Sequence, residues 1–188
     1  VFLVDRIEAQ LESFVTGSAH SVIADLTSPE ETAAAFSNLG AVDVLCNIAG
    51  GFDMGTPVHE TTVDQWEFML DINARTMLNC VRAAVPAMLK NGGGAIVNVG
   101  AKAALASPGT MAPYTASKSI VMRATESMAA ELKDQGINVN CVLPTALDTP
   151  QNREAMPNAD PSRWVDPTAL AAVILFLASP AARAVHVA

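Results

Sequence analysis

The sequence predicts an α/β domain, a doubly wound parallel sheet with helices on both faces. Three observations carry this prediction. Short, nearly continuous apolar runs recur along the chain, and longer segments with helix start and stop signals separate them. In addition, 51% of the 188 residues are hydrophobic and only 16% are charged. Strands buried under helices on both faces read as unbroken apolar runs. Strand, helix, strand in repetition then fits right-handed crossovers within one sheet. The composition is sufficient for one globular core, and it excludes a disordered chain, which would be poorer in apolar residues and richer in charge.

The strands are expected at Val1 to Val4, His20 to Ala24, Val42 to Asn47, Ala95 to Val99 and Asn138 to Val142. The first clear helix opens at Ser28-Pro29-Glu30-Glu31, which combines an N-cap serine, proline at the first helical position and a capping-box glutamate. Thr62 with Gln65 opens the next helical stretch, which runs with one break to Lys90 and stops at Asn91-Gly92-Gly93-Gly94. A third helix is expected from about Pro113 to Gln135, ended by Gly136, and a fourth from Asp166-Pro167 through Leu177. Residues 144–165 hold Pro144, Pro150, Pro157 and Pro161 without any clear period. An irregular stretch of that length is expected to act as a functional lid. With no internal repeat or composition shift, residues 1–188 are expected to form a single domain.

The net charge of −8 argues against a nucleic-acid or anionic-membrane surface. The longest uninterrupted apolar run, Ala169 to Ala178, is shorter than the roughly 20 residues that a bilayer requires. Val1-Phe2-Leu3-Val4-Asp5 has no basic signal-peptide region, so a cytoplasmic location is the expectation. Cys46, Cys80 and Cys141 lie far apart in apolar stretches, with no Cys-x-x-Cys pair or His cluster. They are expected to be buried free thiols in a reducing compartment, with no metal bound.

Tyr114 and Lys118 stand four apart near the start of the third helix and so share one side of it. A fixed ammonium beside a phenol favours the phenolate and is expected to lower the tyrosine's pKa. Such a pair can give a proton to an alkoxide or take one from an alcohol. The same spacing also arises by chance on exposed helices, although Tyr114 is the only tyrosine of the chain. Asp5 ends the first strand, where a carboxylate can accept hydrogen bonds from an adenosine ribose, favouring NAD. An ordinary strand-end aspartate is the competing reading, and Arg6 leaves NADP open because a guanidinium can serve a 2′-phosphate. Asp25-Leu26 ends the next strand and Asn47-Ile48-Ala49-Gly50-Gly51 the one after, where small residues let a ligand approach the backbone.

In order and spacing, Asp25-Leu26, Asn47-x-Ala49-Gly50, Asn73, Tyr114-x-x-x-Lys118 and Pro144 to Thr149 resemble the short-chain dehydrogenase/reductase family over essentially the whole chain. The resemblance implies a Rossmann-like fold and hydride transfer between NAD or NADP and a small carbonyl or quinonoid substrate. By that resemblance, Asp25 and Leu26 border the adenine, and Asn47, Ala49 and Gly50 line the cofactor's ribose side. Tyr114 would be the general acid/base, Lys118 would hold the nicotinamide ribose and tune Tyr114, and Asn73 would bind a water in a proton relay. Pro144, Leu147 and Thr149 belong to the cofactor segment, with Leu147 and Thr149 touching the carboxamide. Homo-oligomers, dimers or tetramers, are implied through the helices around Met69 to Lys90 and Tyr114 to Leu132.

A closer local resemblance is to dihydropteridine reductases. It rests on Gly100 to Leu105, Leu143-Pro144, Leu147 to Pro150, Asn152-Arg153, Met156-Pro157 through Trp164, and Cys46 to Phe52, where an aromatic follows Gly50-Gly51. It implies NADH-dependent reduction of a quinonoid, pterin-like substrate. A general ketone or 3-oxoacyl reductase, and a non-catalytic scaffold subunit of the same fold, are the alternatives.

The chain departs from the family pattern in four respects. The serine expected about a dozen residues before the tyrosine is replaced by the Gly100-Ala101 neighbourhood, and Ser107 is a weak substitute. Ile48 stands where a second Asn is usual, and Thr145 where glycine usually follows Pro144. No G-x-G-x-x-G occurs, and counting about 20 residues back from Asp5 runs off the chain; Thr16-Gly17-Ser18-Ala19 lacks the later glycines. The first strand with its Gly-rich turn and the last strand, due to begin at Val185 to Ala188, are therefore expected to be missing. A chain in that condition is expected to bind NAD poorly.

Overall fold

The computed structural model describes residues 1–14 and 16–186. Strands β1 (Phe2–Asp5) and β2 (His20–Ile23) pair in parallel, Phe2 opposite His20. Strands β3 (Val44–Asn47), β4 (Gly94–Val99) and β5 (Ile137–Val142) form a second parallel ladder in that spatial order. The expected single sheet thus appears as two hydrogen-bonded ladders, because no described strand joins β1 or β2 to β3. Helices connect them: α2 (Pro29–Ser37) follows β2 and lies against α4 (Thr76–Lys90).

The three-stranded sheet carries helices on both faces. On one side Leu45, Ile96, Ile137, Val139 and Cys141 meet Met77, Cys80, Ala84 and Met88 of α4 and Val121, Met122, Met128, Ala129 and Leu132 of α5 (Ala112–Leu132). On the other, Val97 and Val142 meet Ile174 and Leu177 of α7 (Pro167–Leu177), together with Ala182. Alternation along β4, Ile96 to one face and Val97 to the other, is the period-two rule at work. Each large side chain fully buried in this way contributes about 2 kcal/mol relative to exposure.

The helix signals act as predicted, with one exception. Thr62 and Gln65 form a full capping box at the start of α3 (Val63–Leu70). Ser28 accepts from the Glu31 N–H at 3.2 Å, but the Glu31 carboxylate takes the Asp25 N–H at 3.0 Å instead of closing the box. That bond ties the end of β2 to its helix. The break before Lys90 is a π-helical turn, Asp71–Arg75, which holds Asn73. Where β4 and β5 begin, a Cβ on Gly93 would fall 2.2 Å from the Gly136 carbonyl oxygen, and both residues have positive φ, so only glycine fits this crossing of turns.

Short helix α1 (Glu8–Leu11) and the 3₁₀ turn Glu12–Phe14 after it escape sequence reading; the N-cap position is Ile7, whose side chain makes no capping bond. Within 144–165 lie α6 (Pro150–Ala155), a 3₁₀ turn at Pro161–Arg163, and a bridge between Leu147 and Val165. Of the three thiols, Cys80 and Cys141 are buried while Cys46 is exposed. Cys46 lies level with Val97 in the ladder, but the α7 cluster covers β4 and β5 and stops short of β3. The last-strand expectation at Val185 to Ala188 falls partly on residues 187 and 188, outside the described residues.

Candidate active site

The residues read as catalytic converge at the carboxyl ends of β3, β4 and β5. Tyr114 lies in the first turn of α5, and Lys118 follows one turn on, nearly enclosed. The Lys118 Nζ donates to the carbonyl of Val99, the last residue of β4, at 2.8 Å. Burial pushes its pKa down to about 8. The Tyr114 ring meets Phe52 edge to face, with centroids 4.9 Å apart. Burial raises the Tyr114 phenol above its ordinary range, against the expected lowering. The helical spacing places the lysine on the correct side, but its ammonium is turned to the strand end and loss of water dominates the tyrosine.

Asn73 links this helix to the loop after β3. Its Nδ2 donates to Ser117 Oγ at 3.1 Å and to the Gly51 carbonyl at 3.0 Å, while its Oδ1 accepts from the Gly51 N–H at 3.0 Å. Ser117 in turn donates to the Tyr114 carbonyl at 2.7 Å. A Cβ on Gly50 would come within 2.8 Å of Asn73 Oδ1 and 3.1 Å of Lys118 Nζ, so the backbone passes as close to these groups as glycine permits. Asn47 is fixed one strand deeper: its Nδ2 donates to Asn98 Oδ1 at 2.8 Å, and Asn98 donates to Thr125 of α5 at 2.9 Å. Ala49 is exposed beside Gly50.

The serine position is closed. Ala101 is buried, and the Ser107 hydroxyl pairs at 2.7 Å with that of Thr115, the residue after Tyr114 and so on another face of α5. Lys102 N–H donates to the Pro144 carbonyl at 3.0 Å, joining the β4 and β5 loops. Beyond Pro144, the Leu147 carbonyl accepts from Asn152 at 2.9 Å and the Thr149 hydroxyl caps α6.

The residues read as adenosine-side lie apart from these, at the carboxyl ends of β1 and β2. Asp5 accepts from the Ile7 N–H at 2.9 Å through one carboxylate oxygen. Asp25 accepts from both the hydroxyl and the N–H of Thr27, at 2.7 and 2.8 Å. The Thr27 bonds hold the Asp25 carboxyl below its usual range, and the nearby Arg6 charge adds to this. Leu26 offers its carbonyl to Asn79 of α4 at 2.9 Å. The sequence does not single out Asn79, Ser117, Asn98 and Thr125; the available signal is a polar residue inside an apolar strand or helix face.

These groups fit a nicotinamide nucleotide at the β3–β5 end: glycine at the tightest approach, an amide-rich strand end, and a cation and a phenol on one helix face. A family profile described as short chain dehydrogenase matches residues 1–160. Short chain dehydrogenase adrF of Penicillium rubens is 38% identical over 132 residues, covering 70% of this chain and 50% of that protein. Inactive 2-(S)-hydroxypropyl-CoM dehydrogenase 2 of Xanthobacter autotrophicus is 37% identical over 170 residues, covering 86% and 74%. A candidate NAD(P)-dependent gluconate 5-dehydrogenase from Beutenbergia cavernae, solved with NADP at low occupancy, is 29% identical with a TM-score of 0.89, covering 98% and 82%. The chain spans about half the length of the first curated relatives it matches.

Proposed function

This chain belongs to the short-chain dehydrogenase family, and from that premise we propose that it serves as an NAD(P)-dependent oxidoreductase acting on a small carbonyl or quinonoid substrate. The observation that carries the reading is the convergence of Gly50, Asn73 and Lys118 on one point beside Tyr114. When bound, a nicotinamide nucleotide supplies or accepts the hydride. Tyr114 gives the proton to the substrate oxygen, or takes it in the reverse direction. Lys118, buried and still mostly charged at neutral pH, holds the ribose hydroxyls and favours the phenolate as it forms. Asn73 keeps the Gly50-Gly51 backbone pressed to the site and relays protons through a water. Asn47, Ala49, Gly50, Pro144, Leu147 and Thr149 line the nucleotide, with Asp5, Asp25 and Leu26 at its adenosine end.

NAD is the preferred nucleotide in this reading because Asp5 stands at the strand end, although Arg6 beside Asp25 keeps NADP in play. The finer substrate class is an activated, pterin-like acceptor. Support comes from Ala101, which offers no hydroxyl to a developing oxyanion, and from Ser107, whose hydroxyl is committed to Thr115. A quinonoid acceptor needs less such help than a plain ketone. Homo-oligomerisation rests on exposed Phe68, Leu78, Leu89 and Ile120 along α3, α4 and α5. A cytoplasmic setting suits three free cysteines. No helix among the described residues is long and apolar enough to cross a membrane.

A non-catalytic subunit is the second reading, favoured by the buried Ala101 and by a relative whose name carries the word inactive. Fluorescence titration of NADH and NADPH into the complete gene product, followed by turnover of quinonoid dihydropteridine, separates the two. Binding with turnover that disappears in Tyr114→Phe supports the enzyme. Binding of neither nucleotide overturns it.

A further inference from the structure

The loop leaving β3 is fastened at three places. Gly51 is gripped through both of its backbone polar groups by Asn73, at 3.0 Å each. Asp53 and Thr56 both accept from Gln65 Nε2 at 3.3 Å, from the capping box of α3. The Gly55 N–H donates at 2.9 Å to the carbonyl of Thr110, which holds φ 60, a left-handed conformation that costs a threonine energy. Phe52 sits between the first two fastenings. Its ring joins neither core cluster and instead stands at 84° to the ring of Tyr114.

A loop needing only to cover the surface requires neither this fixing nor a strained partner. Both ends of the Thr110–Tyr114 segment are held by the same loop, at the backbone through Gly55 and at the ring through Phe52. We propose that Phe52 is a positioning and specificity-determining residue, which sets the plane of the Tyr114 phenol and forms the apolar wall against which a flat conjugated substrate lies. An aromatic wall rewards a planar π-face and gives nothing to a polyhydroxylated chain, which loses water without gaining partners. The specificity half rests on reading Tyr114 as the acid–base group; the positioning half does not. The ionisable groups on the segments that adjoin Tyr114 in the fold are Lys118 on α5, Asp53 beside Phe52, the Asp71–Arg75 pair on the π turn, Lys102 after β4 and Cys141 on β5, and burial alone accounts for the direction of the phenol's shift.

The test uses Phe52→Ala and Phe52→Trp in the complete gene product, each checked for fold by circular dichroism. Phenolate absorbance, taken as the difference from the matching Tyr114→Phe protein, titrates this one hydroxyl without any substrate. Phe52→Ala should lower the midpoint by about half a unit to one unit as water reaches the phenol, and Phe52→Trp should restore it. In turnover, Phe52→Ala should lose roughly ten-fold in kcat/KM for a quinonoid dihydropteridine, lose far less for a sugar alcohol, and be rescued by Trp. An unmoved phenol titration in Phe52→Ala overturns the positioning role. Equal losses on both substrates, or no recovery with Trp, overturn the specificity role. A wild type that turns over nothing overturns the oxidoreductase reading and the specificity role together, while the titration still decides positioning.

Discussion

The Asn73 carboxamide and the Gly51 peptide hold each other by two hydrogen bonds, N–H to Oδ1 and Nδ2–H to carbonyl, both 3.0 Å. The pairing copies a strand's hydrogen bonding with a side chain. It is possible because Asn73 sits in a π turn, where the extra residue swings the amide out of the α-helical row. The same Nδ2 reaches Ser117, so one side chain joins β3's loop to α5.

Asn73→Ala should therefore act on both stability and chemistry. Leaving the half-buried Gly51 groups unpaired should cost about 1–3 kcal/mol, read as a lower urea midpoint. Loosening the Gly50-Gly51 backbone should lower kcat/KM by roughly 100-fold, as small misplacements of reacting groups do. Full activity in a destabilised Asn73→Ala would show that the amide is only structural.

Much of this arrangement was legible in the sequence. Apolar runs locate the five strands within a residue or two, and Thr62 with Gln65 marks the start of α3. The break in the long helix was visible, but not that it is a π turn, because the distortion answers to partners on another element. Cys46 is exposed where burial is expected for a related reason: an apolar run shows that a strand forms, not which helices reach it. The Tyr114–Lys118 spacing gives direction around a helix but says nothing about depth, and depth sets the tyrosine's pKa. Phe52 against Tyr114 and Asn79 against Leu26 join residues far apart in the chain through loops of no fixed period.

Gly50→Ala should separate binding from folding. Its Cβ would meet Asn73 Oδ1 at 2.8 Å and Lys118 Nζ at 3.1 Å, both ends of side chains that the site needs in place. Displacing them should weaken NADH binding at least ten-fold, about 1.4 kcal/mol, whereas the loss of thermal stability should stay below that of Asn73→Ala, because the Gly51 bonds are shifted and not removed. Unchanged affinity would place the nucleotide elsewhere.

Ala101→Ser supplies a hydroxyl at the closed serine position. Turnover of simple ketones should rise, by up to about 100-fold where the hydroxyl reaches the substrate oxygen. Activity on a quinonoid acceptor should change far less. The comparison is steady-state kinetics on one ketone and one quinonoid dihydropteridine; no gain on the ketone in a folded variant refutes the role given to this position.

Lys118 imposes a pH dependence whose sign follows from its burial. Its pKa falls from 10.5 in the free side chain to about 8 in the fold. Below pH 8 it is charged in both folded and unfolded chains, and the folded state bears the whole desolvation penalty. Between 8 and 10.5 the unfolded chain binds the extra proton, so stability rises with pH, by an amount on the order of 3 kcal/mol at roughly 1.4 kcal/mol per unit. Cys80 opposes it: burial raises its thiol to about 11 from 9.0, so the fold loses stability as pH climbs through that range. Tyr114, also raised, adds a loss above its ordinary range. Lys118→Met removes the lysine's own titration while Cys80 titrates alike in both proteins; the Cys141 thiol, which the Lys118 charge lowers, shifts upward in the variant and adds to the change in the same direction. The Val99 carbonyl left without its donor adds only an offset that does not vary with pH. The stability of Lys118→Met relative to wild type, from urea midpoints, should be most favourable at pH 7 and decline steadily from pH 8 to 10. A difference that stays flat over that window would mean that Lys118 keeps its ordinary pKa and is far better hydrated than its buried position implies.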